Sequence, residues 1–154
     1  MAIEIERRWL IDKHKEYVLA QPAPQQLIKQ GYILDAAGLH LRIRLVDCKT
    51  YLCLKYIGCI VRDEYEYEIP LKDGLEMLER CNLKVEKIRK TLTTLHDKPP
   101  HMYDLYPNGL MTVELEFESK EEAEAFIAPS FFGKEITGDK NYSNLTLAQQ
   151  SLHF

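Results

Sequence analysis

Glu4-Ile5-Glu6-Arg7-Arg8-Trp9 carries charge on alternate residues. A strand sends every second side chain to the same face, so Glu4, Glu6 and Arg8 share one wall. A carboxylate pair is the hard-oxygen ligand set that Mg²⁺ or Mn²⁺ prefers, and a guanidinium fork grips phosphate. The hexapeptide therefore suggests a metal and phosphate site. Read alone, it also describes the solvated outer face of an N-terminal strand, and the remainder of the chain decides between the two.

The alternation recurs. Strand-like runs appear at about 3–11, 26–35, 39–46, 50–58, 62–71, 83–94, 102–106 and 110–118, punctuated by Asp-Ala-Ala-Gly at 35–38, Lys72-Asp73-Gly74 and Pro107-Asn108-Gly109. Leu41, Ile43 and Leu45 alternate with Arg42 and Arg44; Val113, Leu115 and Phe117 alternate with Glu114, Glu116 and Glu118. Tyr65, Tyr67 and Ile69 oppose Arg62, Glu64, Glu66 and Glu68, while Lys87 shares a face with Arg89, and Lys55 ends its own run. Helical patches are fewer, at about 13–20, 74–81 behind Asp73 as N-cap, 120–128 and 143–150. The third begins with Ser119 and Glu122 at capping-box spacing and has Ala123, Phe126 and Ile127 to bury.

An open sheet with a wet face also alternates, but such faces normally carry Thr, Ser, Gln and mixed Lys/Glu rather than repeated arginines. Here the charge segregates by strand: basic at Arg42/Arg44 and Lys87/Arg89, acidic at Glu64/Glu66/Glu68 and Glu114/Glu116/Glu118, mixed at Glu4/Glu6/Arg8. Such a division suits a polyanion held together with its cations. With the charged faces turned inward, the apolar faces turn outward and need helices for cover. The expected fold is α+β and mainly antiparallel β: a closed eight-stranded barrel with a polar lumen, which leaves no exposed edges, and a few helices flanking it or plugging an end.

The 154 residues predict one domain, 1–154, large enough to bury a core without staples. The four cysteines, Cys48, Cys53, Cys59 and Cys81, lack CxxC spacing, which indicates neither a zinc site nor a disulfide framework; they read as buried small hydrophobes, reduced in a cytoplasm. No apolar run approaches the roughly 20 residues of a membrane span, and the N-terminus does not read as a signal peptide. A net charge of −4 argues against a general nucleic-acid surface, which needs a basic excess.

The ordered set Glu4-x-Glu6-x-Arg8, Arg42-x-Arg44, Lys55, Arg62-x-Glu64-x-Glu66-x-Glu68, Glu86-Lys87-Ile88-Arg89, Glu114-x-Glu116 and Gly138-Asp139-Lys140-Asn141-Tyr142-Ser143-Asn144 resembles a short bacterial member of the CYTH superfamily, the triphosphate tunnel metalloenzymes, over essentially the whole length. The resemblance implies an eight-stranded tunnel that binds a triphosphate among basic residues and Mg²⁺ or Mn²⁺ among glutamates. It implies metal ligands at Glu4, Glu6, Glu114 and Glu116, and a phosphate path along Arg8, Arg42, Arg44, Lys55, Arg62, Lys87, Arg89 and Lys140. Glu114, Glu116 and Lys87 are the catalytic candidates, and Glu64 and Glu66 would orient the arginines, complete the metal shell or balance charge, a supporting role being put first. The activity it implies is hydrolysis of inorganic triphosphate. Alternatives are an organic triphosphate as substrate, cyclisation of ATP to cyclic AMP, and a non-catalytic triphosphate-binding module. A homodimer fits but no residue argues for it.

Two departures from the family pattern stand out. Arg8 replaces the usual Lys, and His101-Met102-Tyr103-Asp104 stands where many relatives carry Trp-Glu-x-Asp, which weakens any nucleotide or metal role for that strand. Glu68 and Glu118 share the inward parity but lie near strand ends and are expected to be solvated. No histidine is assigned: His14, His40, His96 and His153 have no partner at ligand spacing. Tyr32 reads as core or rim, and Trp9, Phe117, Phe131 and Phe132 as packing on the barrel exterior. Whether the segment around Tyr142 plugs the tunnel or packs outside it is open at this level.

Overall fold

The alternating runs become eight strands: β1 (Ile3–Leu10), β2 (Gln25–Ala36), β3 (Leu39–Val46), β4 (Lys49–Tyr56), β5 (Val61–Ile69), β6 (Leu83–Leu92), β7 (His101–Leu105) and β8 (Met111–Glu116). The computed structural model describes residues 3–36, 38–93 and 99–150; Thr94, expected to end the sixth strand, and His96 and His153 lie outside them. All pairings are antiparallel, and the strands close a barrel in the order β1-β5-β4-β3-β2-β6-β7-β8. Most neighbours are joined by hairpins, and Gly38 and Gly109 take positive φ of 84° and 83° in two of the turns, where a Cβ would be strained. β1 closes the seam by pairing with β5 through Ile3–Ile5 and with β8 through Glu6–Leu10.

Helices α1 (Lys15–Ala20), α2 (Leu71–Arg80), α3 (Lys120–Ala125) and α4 (Asn144–Gln149) complete the described chain, with a 3-10 turn at Lys140–Tyr142. Ser119 caps α3 as expected, accepting from Glu122 N. The expectation for α2 is corrected: Pro70, not Asp73, stands at the N-cap, and Lys72-Asp73-Gly74 is helical rather than a break. Proline presets the φ needed to enter a helix, and Asp73 sits in the first turn, where a carboxylate is favoured. Gly74 is there for a close approach, since a Cβ would meet Thr50 Oγ1 at 2.3 Å.

The core lies in two places. The larger part is outside the barrel, where Trp9, Val113, Leu115, Phe117 and Tyr103 pack with Val18 of α1, Ala123 of α3 and Phe132. Trp9, Phe117 and Phe132 are thus exterior packing as expected, with Phe131 partly buried beside them. The smaller part is inside one end: Leu147 and Ala148 of α4 pack against Tyr32, Val85 and Tyr106. Tyr32 and Val85 share the register face of the lumen residues Arg42 and Lys87, so α4 plugs that end of the barrel. The cysteines split. Cys53 and Cys81 are buried as expected, but Cys48 and Cys59 are exposed, because they fall in turns rather than on the apolar strand faces.

Candidate active site

Inward-facing charge surrounds a cavity of about 600 Å³. Glu4, Glu6, Arg8, Arg42, Arg44, Lys55, Arg62, Glu64, Glu66, Lys87, Arg89, Glu114, Glu116 and Lys140 all line it. Period-two alternation on closed strands forces this convergence, since one parity of every strand must face the axis. Glu68 and Glu118 do not join them: Glu68 pairs with Lys49 at the surface and Glu118 is exposed beyond β8.

The register of β1 on β8 sets Glu6 opposite Glu116 and Arg8 opposite Glu114. One carboxylate oxygen from each of Glu4, Glu6, Glu114 and Glu116 lies within 4.8 Å of the others. Lys55 Nζ reaches into this cluster, 2.6 Å from Glu4, 3.5 Å from Glu64 and 3.8 Å from Glu6, and Arg62 pairs with Glu6 and, at 3.6 Å, with Glu4. Burial and the adjacent Glu6 charge push the Glu4 carboxyl up to about 8. Burial works against the Glu6 carboxylate too, but Lys55, Arg62 and Arg8 outweigh it and hold Glu6 well below the usual range. Partial burial, then Glu114 and Glu6, raise Glu116. A carboxylate set that keeps a proton at neutral pH, with Glu6 Oε2 buried and without a hydrogen-bond partner, holds more negative charge than its cations neutralise. Four hard oxygen donors in this arrangement are compatible with a divalent cation.

The basic wall is held by its own acids. Glu64 pairs with Arg42 at 3.3 Å and Glu66 with Arg44 at 3.2 Å; Arg44 Nε also donates to Gln30 Oε1 at 2.9 Å. Asp104, fully buried on β7, accepts from Lys87 Nζ at 2.7 Å and from Arg89 Nε and Nη2 at 2.7 and 2.9 Å. Burial pushes Lys87 down to about 7 despite that carboxylate, with Arg89 adding repulsion. Met102 also touches the site, its sulfur 3.5 Å from Arg89 Nη1.

Arg8 Nη1 donates to Tyr142 O at 3.0 Å, linking β1 to the turn before α4. Its Nε and Nη2 are buried without hydrogen-bond partners. Lys140, Ser143 and Asn144 line the cavity from that same segment, and Tyr106 OH donates to Asn144 Oδ1 at 2.7 Å. Asp104, Gln30, Tyr32, Tyr106 and His40 are the parts of the site that sequence reading left unassigned. Tyr32 and His40 line the cavity, with His40 Nε2 3.1 Å from Asp35. Parity was the available signal, since Met102, Asp104 and Tyr106 alternate, as do Gln30 and Tyr32.

The whole chain has relatives. It is 36% identical to the inorganic triphosphatase of Nitrosomonas europaea, over 94% of this chain and 96% of that protein. It is 31% identical to the inorganic triphosphatase of Acetivibrio thermocellus, over 97% and 95%. The crystal structure of the inorganic triphosphatase NE1496 superposes with a TM-score of 0.66 at 31% identity, covering 96% of this chain and 95% of that one. No family model matches the chain. Sequence, barrel and lumen agree, and the chain belongs to the inorganic triphosphatase group of the CYTH superfamily, the triphosphate tunnel metalloenzymes.

Proposed function

We propose that this protein hydrolyses inorganic triphosphate to pyrophosphate and phosphate inside the barrel, with Mg²⁺ or Mn²⁺ as cofactor. The observation that carries the reading is the gathering of four glutamate carboxylates within 4.8 Å, facing buried arginines and lysines across one cavity. Glu4, Glu6, Glu114 and Glu116 would hold the cation, which when bound supplies charge neutralisation on phosphate oxygens and acidifies a water.

The protein's own groups do the rest. Arg8, Arg42, Arg44, Lys55, Arg62, Lys87, Arg89 and Lys140 bind the phosphate chain, and the positive charge of the arginines among them is fixed before the reaction, so little reorganisation opposes charge movement. Glu64 and Glu66 keep Arg42 and Arg44 aimed inward, which the pairs at 3.3 and 3.2 Å support. Lys55 and Arg62, now paired with Glu4 and Glu6, turn toward phosphate once the carboxylates have another cation to bind. Glu116, the most solvent-open of the four, accepts a hydrogen bond from the attacking water and, with Glu114, aims it at the terminal phosphorus. Lys87 donates to the oxygens that gain charge in the transition state. The site serves the protein in a soluble compartment, taken as the cytoplasm, and needs neither nucleic acid nor membrane.

The test is phosphate release from inorganic triphosphate, ATP and thiamine triphosphate side by side, with Mg²⁺ or Mn²⁺, for the wild type and Glu116→Gln. Metal-dependent release, fastest with the inorganic substrate and down at least about 100-fold in the variant, is expected; removing a group that positions water and charge typically costs this much. Release of pyrophosphate with a cyclic nucleotide, or no release under any metal, would overturn the reading.

A further inference from the structure

Gln30 sits on β2 between the basic wall and the plug. Register sets it opposite Arg44 on one side and Val85 on the other, and Val85 packs against α4 inside the barrel, so Gln30 lies on the lumen face. Lys87 is the next residue of β6 on that face. Gln30 is 0% exposed, and its Oε1 accepts from Arg44 Nε at 2.9 Å. Arginine has no acceptor, so this bond fixes which end of the amide meets Arg44 and turns Nε2 away from it.

That Nε2 is buried and, among the described residues, has no hydrogen-bond partner. The plug covers this end with the side chains of Leu147 and Ala148, which are apolar and carry no acceptor. A buried N–H without an acceptor costs free energy in the folded chain, and each such group needs a reason. The neighbouring cases supply one. Arg8, Arg42 and Arg62 also keep buried N–H groups without hydrogen-bond partners, and all three line the cavity. In a lumen that receives an anion, such donors are open to acceptors that arrive with it.

We infer that Gln30 is a further substrate-binding residue, whose Nε2 donates to a phosphate oxygen beside Arg44 and Lys87. The inference rests on the reading of the lumen as a triphosphate site. The residue type fits the position. A third cation beside Arg44 and Lys87 would repel both before substrate arrives, and a carboxylate would neutralise Arg44 and repel phosphate. A neutral amide avoids both costs: its oxygen accepts from Arg44 while its nitrogen donates to phosphate. Arg44 is then held at Nε by Gln30 and at Nη1 by Glu66, 3.2 Å away, so guanidinium and amide present their donors as one rigid unit.

Calorimetry of inorganic triphosphate binding with Mg²⁺, in a Glu116→Gln background to suppress turnover, tests this with Gln30→Met, Arg44→Met and the two combined. Methionine keeps the length of the side chain and removes the donor. Gln30→Met should weaken binding about ten- to hundredfold, the worth of a hydrogen bond to a charged group. In the Arg44→Met chain it should still cost at least about fivefold, because a direct contact does not act through Arg44. An unchanged affinity in Gln30→Met overturns the proposal. So does a loss that vanishes in the Arg44→Met chain, which would make Gln30 a support for Arg44 alone. A second measurement needs no substitution at position 30: the Gln30 side-chain amide protons, followed by NMR, should move downfield when triphosphate is added, and a pair that stays in place overturns the proposal. Phosphate release by the wild type separates this inference from the hydrolase reading. Release with an indifferent Gln30 sinks the inference alone, whereas binding through Gln30 without release supports the inference and sinks the hydrolase.

Discussion

Asp104 shows how a single buried acid can organise a basic site. Its two oxygens take three hydrogen bonds from Lys87 and Arg89, so both groups are held at fixed positions, with Arg89 Nη1 resting on the Met102 sulfur. Replacing Asp104 by Ala strips the buried Lys87 and Arg89 of the acid that takes their hydrogen bonds, and breaking such a pair costs about 3–5 kcal/mol. Urea unfolding of Asp104→Ala should show that loss, with phosphate release falling alongside it; unchanged stability would mean the cations are not held by this carboxylate. Lys87 itself carries a proton signature. Burial pushes it down to about 7, so at pH 8 it is mostly neutral, and a bound polyanion raises it and draws in a proton. Calorimetry of triphosphate binding at pH 8 in buffers of different ionisation enthalpy should show net proton uptake, reduced in Lys87→Gln. Uptake that is identical in the variant would place the proton elsewhere.

Among the elements, α2 and α4 do different work with little length. α2 crosses the outside of the sheet at Gly74, where the helix backbone rests on Thr50, and at Leu78, which meets Gly31. Alanine at position 74 would gain about 1 kcal/mol of intrinsic helix propensity. The added methyl, however, would sit 2.3 Å from Thr50 Oγ1, and overpacking of this kind costs about 1–3 kcal/mol. Gly74→Ala should therefore lower stability in denaturant melts, and Thr50→Ala in the same chain should restore part of it. If Gly74→Ala raised stability, the close approach would not be limiting. α4 turns its apolar side into the lumen, and its preceding turn is tied to β1 through Arg8 and Tyr142 O. The plug and the phosphate-facing wall are therefore one connected piece.

For the whole molecule, the lumen is a store of opposed charge, and stability should follow pH accordingly. Glu6 and Glu64 titrate below their unfolded values, so they contribute stability above about pH 4.5 that is lost as pH falls toward about 2. Glu4 acts in the opposite sense. With its carboxyl raised to about 8, the folded chain binds more protons than the unfolded one between 4.5 and 8, and stability declines as pH rises through that window. A cation among the carboxylates removes the reason for Glu4 to keep its proton. Thermal melts from pH 4 to 9 with chelator should show a decline through neutrality that excess Mg²⁺ or Mn²⁺ reverses, with the largest metal effect near pH 8. A metal effect that is the same at every pH would contradict the coupling.

The sequence by itself determined the barrel and the inward residues, because both follow from one local rule. Side chains alternate with period two, so Arg42, Arg44, Glu64, Glu66, Glu114 and Glu116 must share the face opposite Ile43, Tyr65 and Leu115, and closure turns that face toward the axis. Strand ends were legible to within a few residues, whereas the start of α2 was not. Gly74 is the usual signal of a break, and it is tolerated in this helix only because Thr50 lies beneath it. Tertiary structure alone decided three things: that Asp104 holds Lys87 and Arg89, that α4 fills one end of the barrel, and that Arg8 reaches Tyr142. Each depends on segments far apart in the chain meeting at a particular register. Parity specifies which face a residue takes, but only register and packing specify its neighbour across the lumen.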